Sequence, residues 1–516
     1  MPELYRALIV VLVIGLAGQW LAKQALVPHY ASAKKQKSGI DPDFWRVWAI
    51  VTLFGFLAHD TWVFLGATSL YLISIRRKQS SAIGLFLAVI LIMPPVRRDL
   101  PTFGLVQHLL PLDLAAVAGL LLLGPGLFRK DETSSKVGRN WVLIYVLWLI
   151  VLAFFAANFT SFLRDTSEIL LAIALPFEGA RRSVRSPGDL KRICELFLTM
   201  CLTLAVLAIF EHMRAWLLFH EIPLALGSPN AFGNYLARGS DLRAEVTTGQ
   251  PIVLGYVIAM GLIFALSTEI YRGSLASRKF VIPILIGGLY SSLSRGPWIG
   301  AAVGVFVFFL LGKNGVRRGF QLGCAAVGVL TAAPFLPGGQ KILNLLPFIG
   351  TSEADTVSYR QDLFHAVTPL LIDSPVFGIP DYNHQPELQF LRQGEGIIDL
   401  VNTYIQVGVS SGLVGLSFFL MAHLSVVLGL LRMVRRKTDG QNDLLRAFFA
   451  AYVTAMVIIA TTSSISYIAV IYWAFLGIGS ALIGLDQVVR KKALFDQRRA
   501  NAVRSPAQKL LQAQES

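Results

Sequence analysis

Apolar runs follow one another along nearly the whole chain, at 7–26, 45–58, 61–75, 82–95, 112–128, 141–157, 165–180, 193–218, 251–271, 279–293, 297–311, 319–335, 403–431, 446–463 and 466–487. Hydrocarbon offers no partner to a backbone N–H or C=O, so a segment that crosses it must pair these groups internally, as a helix does. Many of the runs approach the length a bilayer requires, which defines the fold class as all-α: a polytopic integral membrane protein with about 12–15 transmembrane helices. The 516 residues are 54% hydrophobic and 15% charged, whereas soluble domains carry about 25% charged residues. The first run is expected to be retained, not cleaved as a signal peptide, because Lys23 interrupts its end. The runs 45–58 and 61–75 are parted only by His59-Asp60, read as a short water-facing turn whose polar pair needs a partner.

Basic residues fall in alternate loops. The groups at Lys34/Lys35/Lys37, Arg76/Arg77/Lys78, 129–139, 181–192, 272–279, 313–318 and 432–446, with the tail from Arg490, hold most of the 46 Lys and Arg. The intervening loops hold few, among them Arg97, Arg98, Arg243, Arg295 and Arg360. This bias places the poor loops outside and the C-terminus in the cytoplasm. The net charge of +15 is accordingly a topology signal, reinforced by attraction to anionic membrane lipids; no nucleic-acid partner is expected. Five regions follow: N-terminal membrane helices (1–80), a transmembrane core with an outer loop at 219–250 (81–335), a large outer loop (336–402), C-terminal transmembrane helices (403–487) and a basic tail (488–516). In the large loop Tyr359, Leu363, Val367, Leu370 and Leu371 recur at helical spacing, predicting an amphipathic helix lying on the membrane surface. The tail is expected to be loosely ordered.

Cys194 and Cys201 stand on one predicted helix, about 10 Å apart along its axis, too far to form a disulfide. No metal-ligand spacing, Walker-type glycine loop or GxSxG elbow is present, so neither a metal nor a cofactor is expected. The polar residues suited to chemistry gather in the outer loops. Ser294-Arg295-Gly296-Pro297 joins two apolar runs with almost no loop. That sets Arg295 at a membrane boundary, where an arginine is costly and reads as functional; the alternative is snorkelling to lipid headgroups. Arg243 leads through Gly249-Gln250-Pro251 into another run. Two arginines on one face suit a lipid-linked phosphate or pyrophosphate, which guanidinium meets bidentately without losing its charge. Upstream of Tyr404, Asp399 and Asn402 are good helix caps. Asp399 is also a carboxylate at the outer surface, with Glu395, His384 and His365 as alternative bases.

These stretches together resemble the O-antigen ligase and Wzy-type O-antigen and exopolysaccharide polymerase superfamily. The resemblance rests on Arg243–Gly255; on Ser294-Arg295-Gly296-Pro297-Trp298-Ile299-Gly300; on Tyr359-Arg360-Gln361-Asp362-Leu363 followed by Asp373–Ile379; and on Asn402-Thr403-Tyr404-Ile405-Gln406 followed by Ser411–Leu416. It covers roughly the second half. Leu175–Arg182 and Ile209–His212 are similar to the exopolysaccharide polymerase branch. The resemblance implies a metal-independent glycosyltransferase of the GT-C type in the inner membrane, taking a glycan from undecaprenyl pyrophosphate on the periplasmic side and passing it to an acceptor hydroxyl. It implies that Arg243 and Arg295 hold the leaving pyrophosphate, supported by Arg360, Asn402 and Tyr404, with Asp399, His384 or Glu395 as base. The ligases carry a His directly before the Asn-x-Tyr element; here that position is Val401, which favours polymerase over ligase and leaves the base open. A chain-length regulator and export machinery are the expected protein partners. The reading from another class is a polysaccharide or lipid transporter. Transporters commonly show matched halves with polar sites at the midplane; no matched halves are visible here, and the polar residues sit in the outer loops.

Reporter fusions after residues 235 and 380 are expected to read periplasmic, and after 275, 315, 440 and 500 cytoplasmic. A cytoplasmic reading at 380 overturns the assignment of the long loop to the outer face.

Overall fold

The computed structural model describes residues 2–26, 44–76, 81–100, 110–129, 136–155, 158–228, 236–238, 241–271, 275–335, 354–392, 398–436 and 442–514. The basic loop with Lys34, Lys35 and Lys37, and residues 336–353 of the large loop, lie outside these. Among the described residues, four helices are long and apolar enough to cross a membrane: Glu3–Leu26, Pro187–Arg214, Thr403–Arg436 and the first part of Ile468–Gln514. Shorter apolar helices, Phe44–Leu57, Thr61–Ile75, Leu114–Leu127, Arg139–Ala153, Pro251–Phe264 and Arg295–Leu310, join them in the bundle. Outward faces are themselves apolar: Val13, Trp20, Leu70, Leu147 and Phe154 are exposed, a cost in water that hydrocarbon removes. The protein is an all-α polytopic membrane protein. The described strands are two short ladders, Arg98–Asp99 with Pro111–Leu112 and Ala237–Arg238 with Asp241–Leu242.

The helix Pro251–Phe264 is the centre, buried along nearly its whole length. Pro187–Arg214, Leu275–Ser291, Arg295–Leu310 and Asp443–Ile459 pack around it. Small residues let the backbones close up, as membrane helices require in the absence of a hydrophobic drive between them. A Cβ on Gly255 would meet Pro297, and one on Gly304 would run into Thr454.

The run 82–95 does not make a full helix. Helix Ala82–Val89 stops, and Ile90–Val96 continues as buried irregular chain. Pro94 and Pro95 supply no N–H and cannot extend a helix. The backbone is satisfied from elsewhere: Thr247 Oγ1 donates to the Leu91 carbonyl (2.6 Å) and Tyr467 OH to that of Met93 (3.2 Å). At His59-Asp60 the expected turn is present. Asp60 caps Thr61–Ile75 by accepting from Trp62 N (2.7 Å) and Val63 N (3.3 Å), and its other oxygen takes Arg98 Nη1 at 3.0 Å. Arg98 is thus the partner the pair needed.

In the large loop the expected helix spans Ala354–Asp373. Its apolar face is not bare for lipid: Leu363, Val367 and Leu370 are covered by the loop's own Tyr382, Leu388, Leu391, Ile398 and Leu400. Phe364 and Ile372 remain exposed on other faces. The tail also differs from expectation, because Ile468–Gln514 runs on as one helix.

The helix Thr403–Arg436 breaks at Gly412, with φ 70° and ψ 177°. Pro375–Ile379 docks into the break: Leu413 N–H donates to the Pro375 carbonyl (2.8 Å) and Ile379 N–H to that of Val409 (2.6 Å). Gly378, at φ 67°, faces it, and a Cβ on either glycine would meet the other's backbone. The Asp373–Ile379 and Ser411–Leu416 stretches are therefore two halves of one joint. Gly412→Ala is expected to cost at least about 1–3 kcal/mol, since that backbone region is almost confined to glycine. The readout is a lowered unfolding midpoint in detergent, with faster proteolysis of the large loop; an unchanged midpoint overturns the joint.

Candidate active site at the Arg295 end of the bundle

Four irregular segments meet at one end: 243–250, 291–295, 398–402 and 461–467. Each holds one non-glycine residue in the left-handed region: Val246 (φ 50°), Leu293 (φ 44°), Val401 (φ 49°) and Ser466 (φ 50°). Such conformations cost about 1–3 kcal/mol each and persist only where the surroundings over-determine them.

Glu211 sets the first segment. Its buried carboxylate accepts from Leu218 N (2.9 Å), Glu245 N (3.1 Å) and Val246 N (2.9 Å). That pairing presents Arg243 toward the second segment. Arg243 is half-buried; its Nη2 donates to Ser294 Oγ (3.0 Å) and its Nε faces the Ser292 carbonyl (3.4 Å). Ala244 N–H donates to the Ser291 carbonyl (3.0 Å), and Arg238 Nη1 to that of Leu293 (2.6 Å). Ser294 is the N-cap residue of Arg295–Leu310, so Arg295 opens the helix one residue beyond the atom Arg243 holds. Two residues far apart in sequence are brought to one turn.

The fourth segment links the others. Thr461 lies against Gly296, where a Cβ would run into its hydroxyl. Ser463 Oγ donates to Asp399 Oδ1 (2.5 Å), Gln406 Oε1 accepts from Ser464 N (2.8 Å), and Thr403 Oγ1 donates to the Thr462 carbonyl (2.8 Å). Ser466 Oγ donates to the Thr248 carbonyl at 3.3 Å. This hydroxyl-rich turn was not singled out in the sequence. Its signal is there, as five Ser and Thr within 461–466 where the apolar runs 446–463 and 466–487 meet.

In the third segment Asn402, not Asp399, caps Thr403–Arg436, accepting from Tyr404 N (2.9 Å) and Ile405 N (3.2 Å). Asp399 stands earlier, its Oδ1 also accepting from Val401 N (2.9 Å). Tyr359 OH steadies its backbone by donating to the Asp399 carbonyl (2.9 Å). Tyr404 points inward, its OH on the Met456 carbonyl (3.1 Å). Arg360 is exposed on the loop helix. His384 is exposed too, with Nδ1 on Asp381 Oδ1 (2.6 Å), and shares no hydrogen bond with the four segments among the described residues. Glu395 lies outside those residues. Burial pushes the Tyr382 phenol up, so this neighbour of Gln406 stays protonated.

Beside the cluster opens a cavity of about 890 Å³ lined by Arg97, Arg98, Asp113, Glu168, Ser464 and Ser466. Arg97 pairs with Glu168 across it. Sequence reading assigned Arg97 and Arg98 only to topology. No group of three or more His, Cys, Asp or Glu that could hold a metal occurs among the described residues.

Fold and site together define an all-α polytopic membrane protein that collects arginines, a carboxylate and hydroxyls on irregular turns at one end. Residues 280–420 match the family model described as O-Antigen ligase. No curated protein matches the chain. The matched stretch contains Ser294–Gly300, Tyr359–Leu363, the joint at Gly378 and Gly412, and Asn402–Gln406. Over that stretch the chain is similar to the O-antigen ligase family, in line with the resemblance carried by its motifs.

Glu211→Ala strands three backbone N–H groups, each costing about 1–3 kcal/mol when left unpaired. It is expected to lower the yield of monodisperse protein sharply, with Glu211→Gln milder. Wild-type yield and unfolding midpoint in Glu211→Ala would remove its role as organiser of the Arg243 segment.

Proposed function

We propose that the protein is an inner-membrane polymerase that joins undecaprenyl-pyrophosphate-linked oligosaccharide repeats of an exopolysaccharide or O-antigen on the periplasmic side. One observation carries the reading: Arg243 grips the turn that ends in Arg295, so the two arginines meet at one turn at this end of the bundle. Negative charge grows on the pyrophosphate as the anomeric C–O bond breaks. Guanidiniums fixed in place oppose it without reorganising as the reaction proceeds. The acceptor oxygen bonds the anomeric carbon, the electron pair of the broken bond leaves with the pyrophosphate, and the hydroxyl proton passes to Asp399. Oδ1 of Asp399 is occupied by Val401 N–H and Ser463 O–H, which leaves Oδ2 for that proton. An oxocarbenium-like transition state lowers the demand on the base, so a carboxylate suffices. Val401, where the ligases carry a His, supports polymerase.

The second reading is a ligase that moves finished glycan to another acceptor, favoured by the description of the matching family, O-Antigen ligase. Loss of the protein separates the readings. Accumulated single lipid-linked repeats mark a polymerase, accumulated long lipid-linked chains a ligase, and substrate trapped inside a transporter.

With purified protein and lipid-linked repeat, Arg243→Ala and Arg295→Lys are expected to lower polymer formation on the order of 10²-fold or more. Asp399→Asn should abolish it while His384→Ala is mild, and wild-type activity should survive EDTA. Wild-type polymer from either arginine variant removes that residue from the pyrophosphate site. Full activity of Asp399→Asn with an inactive His384→Ala reverses the choice of base.

A further inference from the structure

The other end of the bundle carries a second cavity, of about 600 Å³, and its walls are cationic. Arg76, Arg129, Arg182 and Arg185 line it, against one carboxylate, Asp189. That carboxylate is already engaged: Oδ2 accepts from the backbone N–H of Arg185 (2.9 Å) and Ser186 (2.8 Å), capping Pro187–Arg214, and Oδ1 faces Arg192 at 3.9 Å. Glu178 is engaged as well, by Arg181 and Arg182. Arg182 is further held by the carbonyls of Leu127 (2.6 Å) and Arg129 (2.9 Å). The side chains of Arg76, Arg129 and Arg185 face no carboxylate within ion-pair distance among the described residues. Apart from Ser183 and Gly126, the rest of the lining is apolar, including Leu121, Leu122 and Pro125.

We propose that this cavity is a site for an anionic phospholipid, the arginines taking its phosphodiester headgroup and the leucine wall the upper part of an acyl chain. Guanidinium and phosphate match in charge and geometry, and basic pockets between membrane helices commonly take anionic headgroups on the cytoplasmic side. A free phosphate satisfies the arginines equally but leaves the apolar wall unused, which favours the lipid. The site also has a mechanical setting. Three segments lead toward it from the large cavity at the Arg295 end: Asp60, ion-paired with the lining residue Arg98, to Arg76, and the lining residues Asp113 to Arg129 and Glu168 to Arg182, each separated by about 21–24 Å of helix rise. A headgroup bridging the three arginine ends holds together segments whose other ends line the large cavity or pair with its lining residue Arg98.

The test uses full-length protein stripped of lipid in detergent and titrated with phosphatidylglycerol, cardiolipin, phosphatidylcholine or inorganic phosphate. Retained lipid is counted by native mass spectrometry, and the unfolding midpoint is followed. Wild type is expected to retain phosphatidylglycerol or cardiolipin about tenfold better than phosphatidylcholine, and to gain thermal stability from the anionic lipids alone. Arg129→Gln with Arg185→Gln, both exposed side chains, should lose that preference. Arg317→Gln with Arg318→Gln, exposed in another basic loop, should keep it. Absence of a preference in wild type overturns the proposal without recourse to variants. So does equal loss in the two double variants, which would mean diffuse surface charge. Displacement of the lipid by millimolar inorganic phosphate, with the same gain in stability, would assign the cavity to free phosphate instead.

Discussion

Backbone that is neither helix nor ladder can sit among apolar helices only if every N–H and C=O finds a partner. Everything at the Arg295 end follows from meeting that demand. The Thr461–Tyr467 turn meets much of it, because hydroxyl side chains donate to carbonyls that no helix can reach. Tyr467 serves Met93 and Ser466 serves Thr248, while Ser463 donates to the Asp399 carboxylate. Glu211 does the converse, one carboxylate accepting from three stranded N–H groups. The chain can therefore lay four non-helical segments across the ends of its helices and point charged side chains from them.

Much of this was legible in the sequence because it rests on local pattern. The apolar runs define most of the helices, and the basic alternation separates the loops that carry Arg243 and Arg295 from the rest. Gly-Pro after Arg295 marks a join too short to be anything but a tight turn, and a tight turn it is. The parts that were not legible depend on partners far away in sequence. Nothing near Glu211 says that it caps a segment more than thirty residues later. The stretch 82–95 reads as one apolar run by composition, and the hydroxyls of Thr247 and Tyr467, with local backbone bonds, make the irregular path of Ile90–Val96 tolerable. The loop helix reads as amphipathic, but periodicity cannot say whether its apolar face meets lipid or, as here, Leu388 and Leu391.

Asp399 and His384 illustrate why composition alone separates candidate bases poorly. Imidazole is the better base by its ordinary pKa, yet among the described residues His384 is exposed and tied to Asp381. Asp399 is held at three points, by Val401 N–H and Ser463 O–H on one oxygen and by Tyr359 through its carbonyl. Proton transfer depends first on geometry and only then on basicity. A weaker base held in register with a fixed turn has the advantage over a stronger one that must be brought in from solvent.

The left-handed residues bear on the same point. Val246, Leu293, Val401 and Ser466 are each one or two residues from a group that does the positioning: Ala244 and Thr248 around the first, Ser292 and Ser294 around the second, Asp399 and Asn402 around the third, Ser464 and Tyr467 around the fourth. Glycine at any of these positions would relieve the strain. It would also widen the range of backbone angles open to the turn and so loosen the direction in which the neighbouring side chain leaves it. A valine or leucine in that conformation has a narrow well, and the hydrogen bonds on either side keep it there. Strain of this kind is consistent with turns selected for where they aim their charges more than for ease of folding.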